Sequence, residues 1–211
     1  TRELQQFLIY ARAGESIAVD LRHLAGDRRP LALQYRLVAP GGATVRNEAV
    51  GPGAEESFSV NAPETGTYAL YITGGAGGQA WYAVRVHNPF FAYPLAGREG
   101  HAPQFFHIAA FDPMVYYLTR SDPAAPASVT VATGPHQAIV AQVEEGEPVT
   151  VLEEPVRFDL SASDAPIRVR LYAPETLPEG FYVQHIALRV EGAVCPYAAI
   201  SPERRLVPAG E

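Results

Sequence analysis

At 211 residues the chain is long enough for one large all-β domain or for two domains of about 100 residues each. Its 47% hydrophobic and 10% aromatic content excludes the disordered class, which is poor in apolar residues. A net charge of −7, with sixteen arginines and no lysine, argues against a surface that binds polyanions as a whole, so nucleic acid is not an expected partner. The single cysteine, Cys195, permits no internal disulfide and reads as a small buried hydrophobe. No apolar run approaches the ~18 residues of a membrane helix, and no membrane insertion is expected. The opening "TRELQQFLIY" carries no signal peptide and reads as a piece of something longer, with any export signal upstream.

The first strand signal is "QFLIYA". In "SIAVDL", Ile17, Val19 and Leu21 share one face while Ala18 and Asp20 share the other; in "LALQYRL", Leu31, Leu33, Tyr35 and Leu37 oppose Gln34 and Arg36. A period of two marks a half-buried strand. Phe58 and Val60 in "SFSV", Tyr68, Leu70 and Ile72 in "NAPETGTYALYITGG", and Tyr82, Val84 and Val86 in "WYAVRV" repeat it. Between them "APGG", "GPGAEE", "APETG" and "TGGAGGQ" place glycine or proline where the chain must reverse. The spacing predicts a run of short strands forming an antiparallel sandwich that ends near His87. In the phrase at 61–75, Pro63 fixes the approach to a turn, Gly66 can take a positive φ, and Tyr68 is expected to drop its ring into the core. Glu64 reads as a solvated turn carboxylate.

Residues 87–104, "HNPFFAYPLAGREGHAPQ", show no strand pattern and hold the predicted boundary. Phe90, Phe91 and Tyr93 are expected to pack between two bodies. Beyond it, "QFFHIA", "VYYLTR", "SVTVAT", "AIVAQV", "PVTVL", "VRFDLS", "IRVRLY" and "VQHIALRV" are candidate strands, separated by "TGPH", "EEGE" and "SASDAP". The fold class is therefore all-β: two tandem antiparallel, jelly-roll-like β-sandwiches at 1–88 and 105–211, joined by a linker at 89–104. The tail "CPYAAISPERRLVPAGE" is expected to run along a surface.

The segments "ARAGESIAVDL", "LALQYRLVAPGGATV" and "NAPETGTYALYITGGAGGQAWYAVRV" carry a resemblance across roughly residues 5 to 87. A Gly precedes the second strand, a Pro-Gly turn stands where an Asp-Pro-x-Gly hairpin is common, and Pro-x-x-Gly-x-Tyr leads into a late strand. In this the chain resembles the bacterial pre-peptidase C-terminal domain and its galactose-binding-like relatives. The second half, with "QFFHIAAFD" and "VEGAVCPYAAISPERRL", is similar to sandwich segments that accompany large bacterial glycoside hydrolases. The resemblance implies an accessory module attached to the catalytic domain of an exported bacterial hydrolase, secreted or at the cell surface. Some relatives bind calcium or polysaccharide.

Signals for bond-breaking chemistry are absent from the residues. The serines lack a Gly-x-Ser-x-Gly elbow and the six histidines are scattered singly, so no catalytic residue is assigned. His101 and His107 are the nearest pair for zinc and read better as hydrogen-bonding groups. Calcium loops use clustered oxygen ligands, whereas Asp20, Asp27, Asp112, Asp122, Asp159 and Asp164 are dispersed; no cofactor or metal ligand is assigned, with calcium the one cation the relatives raise. The acidic runs "VEEGE" and "LEEP" read as solvated turns. "GGAGG" precedes no helix and cannot cradle a phosphate. "TREL" and "VQHI" echo jelly-roll alginate lyases, but they sit in different domains and the third, tyrosine-bearing motif is missing.

Binding remains. With Tyr82, Val84 and Val86 inward, Trp81, Arg85 and His87 point outward along one strand, an indole beside polar groups that suits a sugar ring. In the second half Arg168, Arg170 and Tyr172 share an outward face, with His185 and Arg189 on another strand; if those strands are neighbours, a cationic patch results. Two function classes compete. The preferred one is a non-catalytic carbohydrate-binding module with a polysaccharide partner; the other is a structural module that packs on a catalytic domain or mediates oligomerisation without a ligand.

Overall fold

The computed structural model describes residues 5–24, 32–74, 81–95, 105–107, 113–181, 185–192 and 194–202, and every regular element among them is a β-strand. No helix in these residues is long and apolar enough to cross a membrane. The chain divides into two compact units, one holding the described residues up to Tyr93 and the other those from Pro94 to Pro202.

The first unit contains β1 (Gln5–Ala11), β2 (Ser16–Leu24), β3 (Leu33–Val38), β4 (Thr44–Val50), β5 (Glu55–Asn61), β6 (Gly66–Gly74), β7 (Trp81–Val86) and β8 (Phe91–Pro94). They form two layers, in the orders β8-β1-β6-β3-β4 and β5-β2-β7, with antiparallel pairing throughout. The alternation read from the sequence is what closes the sandwich. Ile17, Val19 and Leu21 of β2 meet Leu33, Tyr35 and Leu37 of β3 and Tyr68, Leu70 and Ile72 of β6 in one core, every one of them at most 1% exposed.

Two polar devices pin this core. Tyr35 stacks on Phe58 at 5.1 Å while its hydroxyl donates to the Glu56 carboxylate and accepts from Arg46 Nε at 2.8 Å. Arg46 also donates to Glu56 at 3.0 Å, so β3 and β4 of one layer are tied to β5 of the other through a fully partnered polar knot. At the turn before β6, the Tyr68 hydroxyl donates to the Glu64 carbonyl at 2.6 Å and accepts from the Glu64 amide at 3.1 Å. Glu64 is exposed as expected, but its carboxylate also accepts the Gly41 amide at 2.9 Å and joins two turns. Gly66 takes φ +155° there, and a Cβ on it would sit 2.6 Å from Pro40 Cγ.

The reading of residues 87–104 as free of strands is corrected at Phe91–Pro94. β8 pairs with β1 through Leu8–Ala92 and Ile9–Phe91, because β1 has a free edge and four residues suffice to fill it. Phe91 then stacks on Phe7 at 5.8 Å and touches Tyr93 at 4.5 Å, while Phe90 meets Tyr10 at 6.0 Å. These rings complete the first unit's own core and its margin.

The second unit contains β9 (Phe105–His107), β10 (Met114–Arg120), β11 (Ala127–Thr133), β12 (Ile139–Val143), β13 (Val149–Val151), β14 (Val156–Leu160), β15 (Ile167–Tyr172), β16 (His185–Gly192) and β17 (Val194–Ala199). Its layers run β13-β12-β15-β10-β17 and β14-β11-β16-β9, again antiparallel. Tyr116, Leu118, Val129, Val131, Ile139, Val169, Leu171 and Leu188 fill the interior. The first part of the tail is corrected as well: Val194–Ala199 is not a surface run but a strand against β10, with Val194, Cys195, Ala198 and Ala199 buried, while residues 203–211 lie outside the described residues. Cys195 is the buried hydrophobe its solitude suggested.

Candidate functional site: an open polar groove on the first unit

The outward face of β5-β2-β7 follows from strand parity. Ile17, Val19 and Leu21 consume one face of β2, which leaves Ala18, Asp20 and Arg22 on the other. Register then sets neighbours beside them: Asp20 lies opposite Ser57 of β5 and Arg85 of β7, and Arg22 lies opposite Glu55 and Ala83. Three strands thus bring two carboxylates, two guanidinium groups and a hydroxyl to one surface. Asp20, Arg22, Glu55, Ser57, Ala83 and Arg85 line an open groove of about 370 Å³, with the methyl of Ala83 leaving room where longer side chains flank it.

The polar groups in this groove are held by one another. His87 Nε2 lies 2.7 Å from Asp20 Oδ2, and Arg22 Nε lies 3.2 Å from Glu55 Oε1. Hydrogen bonds from Ser57 and then His87 hold the Asp20 carboxyl below its usual range. The end of β7 is fixed by buried Asn88, which donates to the Ser16 carbonyl at 3.0 Å and accepts the Ala18 amide at 3.2 Å. The His87 amide bonds the Ala18 carbonyl at 3.0 Å, so the imidazole is carried on an anchored backbone.

Asp20 stands between Ser57 and His87. A nucleophilic relay needs the imidazole between hydroxyl and acid, and this order is different. What the groove offers is a rigid array of acceptors and donors facing solvent, suited to a ligand rich in hydroxyl groups. Among the described residues no group of three or more His, Cys, Asp or Glu gathers where a metal could sit.

Arg85 and His87 are therefore exposed on one strand face, as read from the sequence. Trp81 is placed by its backbone opposite Leu24; its side chain, like that of His185, lies outside the described residues, as does His101. Asp20, Ser57, Arg22 and Glu55 escaped the sequence reading. Asp20 was visible on the polar face of its strand, but nothing in the sequence says that β2 pairs with β7 across the intervening strands.

The predicted patch of Arg168, Arg170, Tyr172, His185 and Arg189 is not assembled by strand pairing. β15 lies between β10 and β12, whereas β16 lies between β11 and β9 in the other layer. Arg189, exposed, sits opposite Thr130. The acidic run at 143–147 is more than solvated turn: Glu144 lies 3.8 Å from the buried Arg120 and Glu145 lies 3.2 Å from Arg168.

No family model matches the chain. No curated protein matches it. Among solved structures, the chain is similar to the N-terminal CBM22-1-CBM22-2 tandem domain of Xyn10C from Paenibacillus barcinonensis, at 11% identity over 90% of this chain and 80% of that one, with a TM-score of 0.25.

Proposed function

We propose that the chain is a non-catalytic carbohydrate-binding module and that the outward face of β5-β2-β7 is its ligand surface. The observation that carries this reading is the groove itself: Asp20, Ser57 and Arg85 converge on three adjacent strands around the small Ala83, and His87 adjoins them. Fixed donors and acceptors on a pleated scaffold bind vicinal hydroxyls without ordering a loop, which lowers the entropic cost of association. A shallow open groove gives modest affinity, and attachment to other modules raises it through effective concentration.

The resemblance of residues 5 to 87 supports placing this module beside the catalytic domain of an exported bacterial hydrolase, outside the cell, with a polysaccharide as its partner. The reading requires no cofactor. Affinity electrophoresis of the full chain through a panel of soluble neutral polysaccharides tests it, with Arg85→Ala and Trp81→Ala as variants. Retardation of the wild type by at least one polymer, weakened by Arg85→Ala, is the expected result; migration unaffected by every polymer sinks it.

A second reading, a ligand-free structural module, draws on the mutual pairing of Asp20 with His87 and Arg22 with Glu55, which satisfies these groups without a ligand. The same panel separates the two.

A further inference from the structure

The five strands β10, β12, β13, β15 and β17 contain Arg120, Arg168 and Arg170 but no Asp or Glu, in a chain with 23 acidic residues. Arg120 points inward and is buried. Arg168 and Arg170 occupy the outward positions of β15, between the buried Ile167, Val169 and Leu171. The outward face of this layer is therefore cationic on an acidic protein, and its strands hold no carboxylate to neutralise it.

Register surrounds these arginines with flat and polar groups. Tyr117 lies directly opposite Arg168, and Arg170 lies between Val115 and Gln142. The Arg170 guanidinium sits over the Tyr172 ring at 4.9 Å, and among the described residues it makes no ion pair. Arg168 meets Glu145 from the β12–β13 turn at 3.2 Å, but that carboxylate is 87% exposed, and a pair of this kind is worth little and is readily exchanged. Arg168 and Arg170 stand about 7 Å apart along the strand.

From this juxtaposition we propose a second ligand surface, on the outward face of β10-β15-β12, that takes the carboxylates of a uronate-containing polysaccharide. Each guanidinium offers a planar fork that matches a carboxylate bidentately. Tyr117, opposite Arg168, supplies a ring beside the forks on which a pyranose can stack, while the Tyr172 ring backs the Arg170 guanidinium. An acidic peptide would satisfy the arginines yet leave the Tyr117 ring unused, so the interleaving favours the saccharide. The inference extends the carbohydrate-binding reading to a surface distinct from the Asp20–Arg85 groove.

The test is affinity electrophoresis of the full chain in gels containing polygalacturonate, fully methyl-esterified polygalacturonate or poly-L-glutamate. Arg168→Gln/Arg170→Gln is the test variant, Arg170→Gln the milder one, and Arg157→Gln the control on the opposite layer; circular dichroism confirms the fold of each. The expected result is wild-type retardation by polygalacturonate alone, at least tenfold weaker in the double variant, several-fold weaker in Arg170→Gln, unchanged in the control, and diminished by salt. Absence of retardation, equal retardation of wild type and Arg170→Gln, or equal retardation by the methyl ester or by poly-L-glutamate overturns the proposal. Neutral polymers acting through Arg85, with indifference to polygalacturonate, would sink this surface alone; the converse result would sink the groove and leave this surface standing.

Discussion

Asp20 accepts from His87 across the β2–β7 seam at 2.7 Å while lying directly opposite Arg85, so one carboxylate organises two neighbouring polar side chains on the same sheet face. Removing Arg85 strips the groove of one of its two guanidinium groups without touching the core. Arg85→Ala is expected to weaken retention by a bound neutral polysaccharide about tenfold, equivalent to roughly 1.4 kcal/mol, with an unchanged unfolding midpoint. Titration by affinity electrophoresis alongside urea unfolding checks both halves.

Gly66 is confined by its own φ of +155° and by Pro40, whose Cγ lies 2.6 Å from where a Cβ would be. Gly66→Ala must shift the turn that launches β6, a central strand. A loss of about 1–3 kcal/mol is expected, read as a lower urea midpoint at constant m-value; an unchanged midpoint would show that the turn relaxes freely.

Tyr68→Phe keeps the ring in the core but deletes the hydroxyl that serves both the amide and the carbonyl of Glu64. Leaving those two backbone groups without this partner is expected to cost about 1–3 kcal/mol. Thermal unfolding of Tyr68→Phe against wild type measures it, and a neutral result would mean that water replaces the hydroxyl.

Burial, reinforced by the Glu56 carboxylate, pushes the Tyr35 phenol up to about 12 from its usual 10.0. The unfolded chain therefore releases this proton before the folded one does. Stability from Tyr35 is complete below pH 10.0 and drains away as pH rises toward about 12. Burial also raises the phenols of Tyr82 and Tyr93, so the alkaline loss is shared. Urea unfolding between pH 8 and 11.5 should show a shallower alkaline decline in Tyr35→Phe than in wild type; parallel curves would place the titration elsewhere.

Much of this architecture is written in period two. "SIAVDL", "LALQYRL" and "IRVRLY" alternate so regularly that their buried faces follow from the steric rule that successive strand side chains point to opposite sides. Phe91–Pro94 and Val194–Ala199 were harder to read because each is short or interrupted by proline, and each becomes a strand only when β1 or β10 offers an edge to pair with. Their hydrogen bonds are non-local, and no pattern inside them announces the partner.

The candidate site divides in the same way. Composition and alternation alone determined that the chain builds layered antiparallel sheets, that Arg85, His87, Arg168 and Arg170 face outward, and that Cys195 lies within. Only the tertiary structure decided which outward residues become neighbours: it seated Asp20 beside Arg85 and Tyr117 beside Arg168, and it put β15 and β16 in different layers. Parity is a property of each strand by itself and travels with the sequence. Adjacency depends on which edges pair and in what register, and the packing of the whole core sets that.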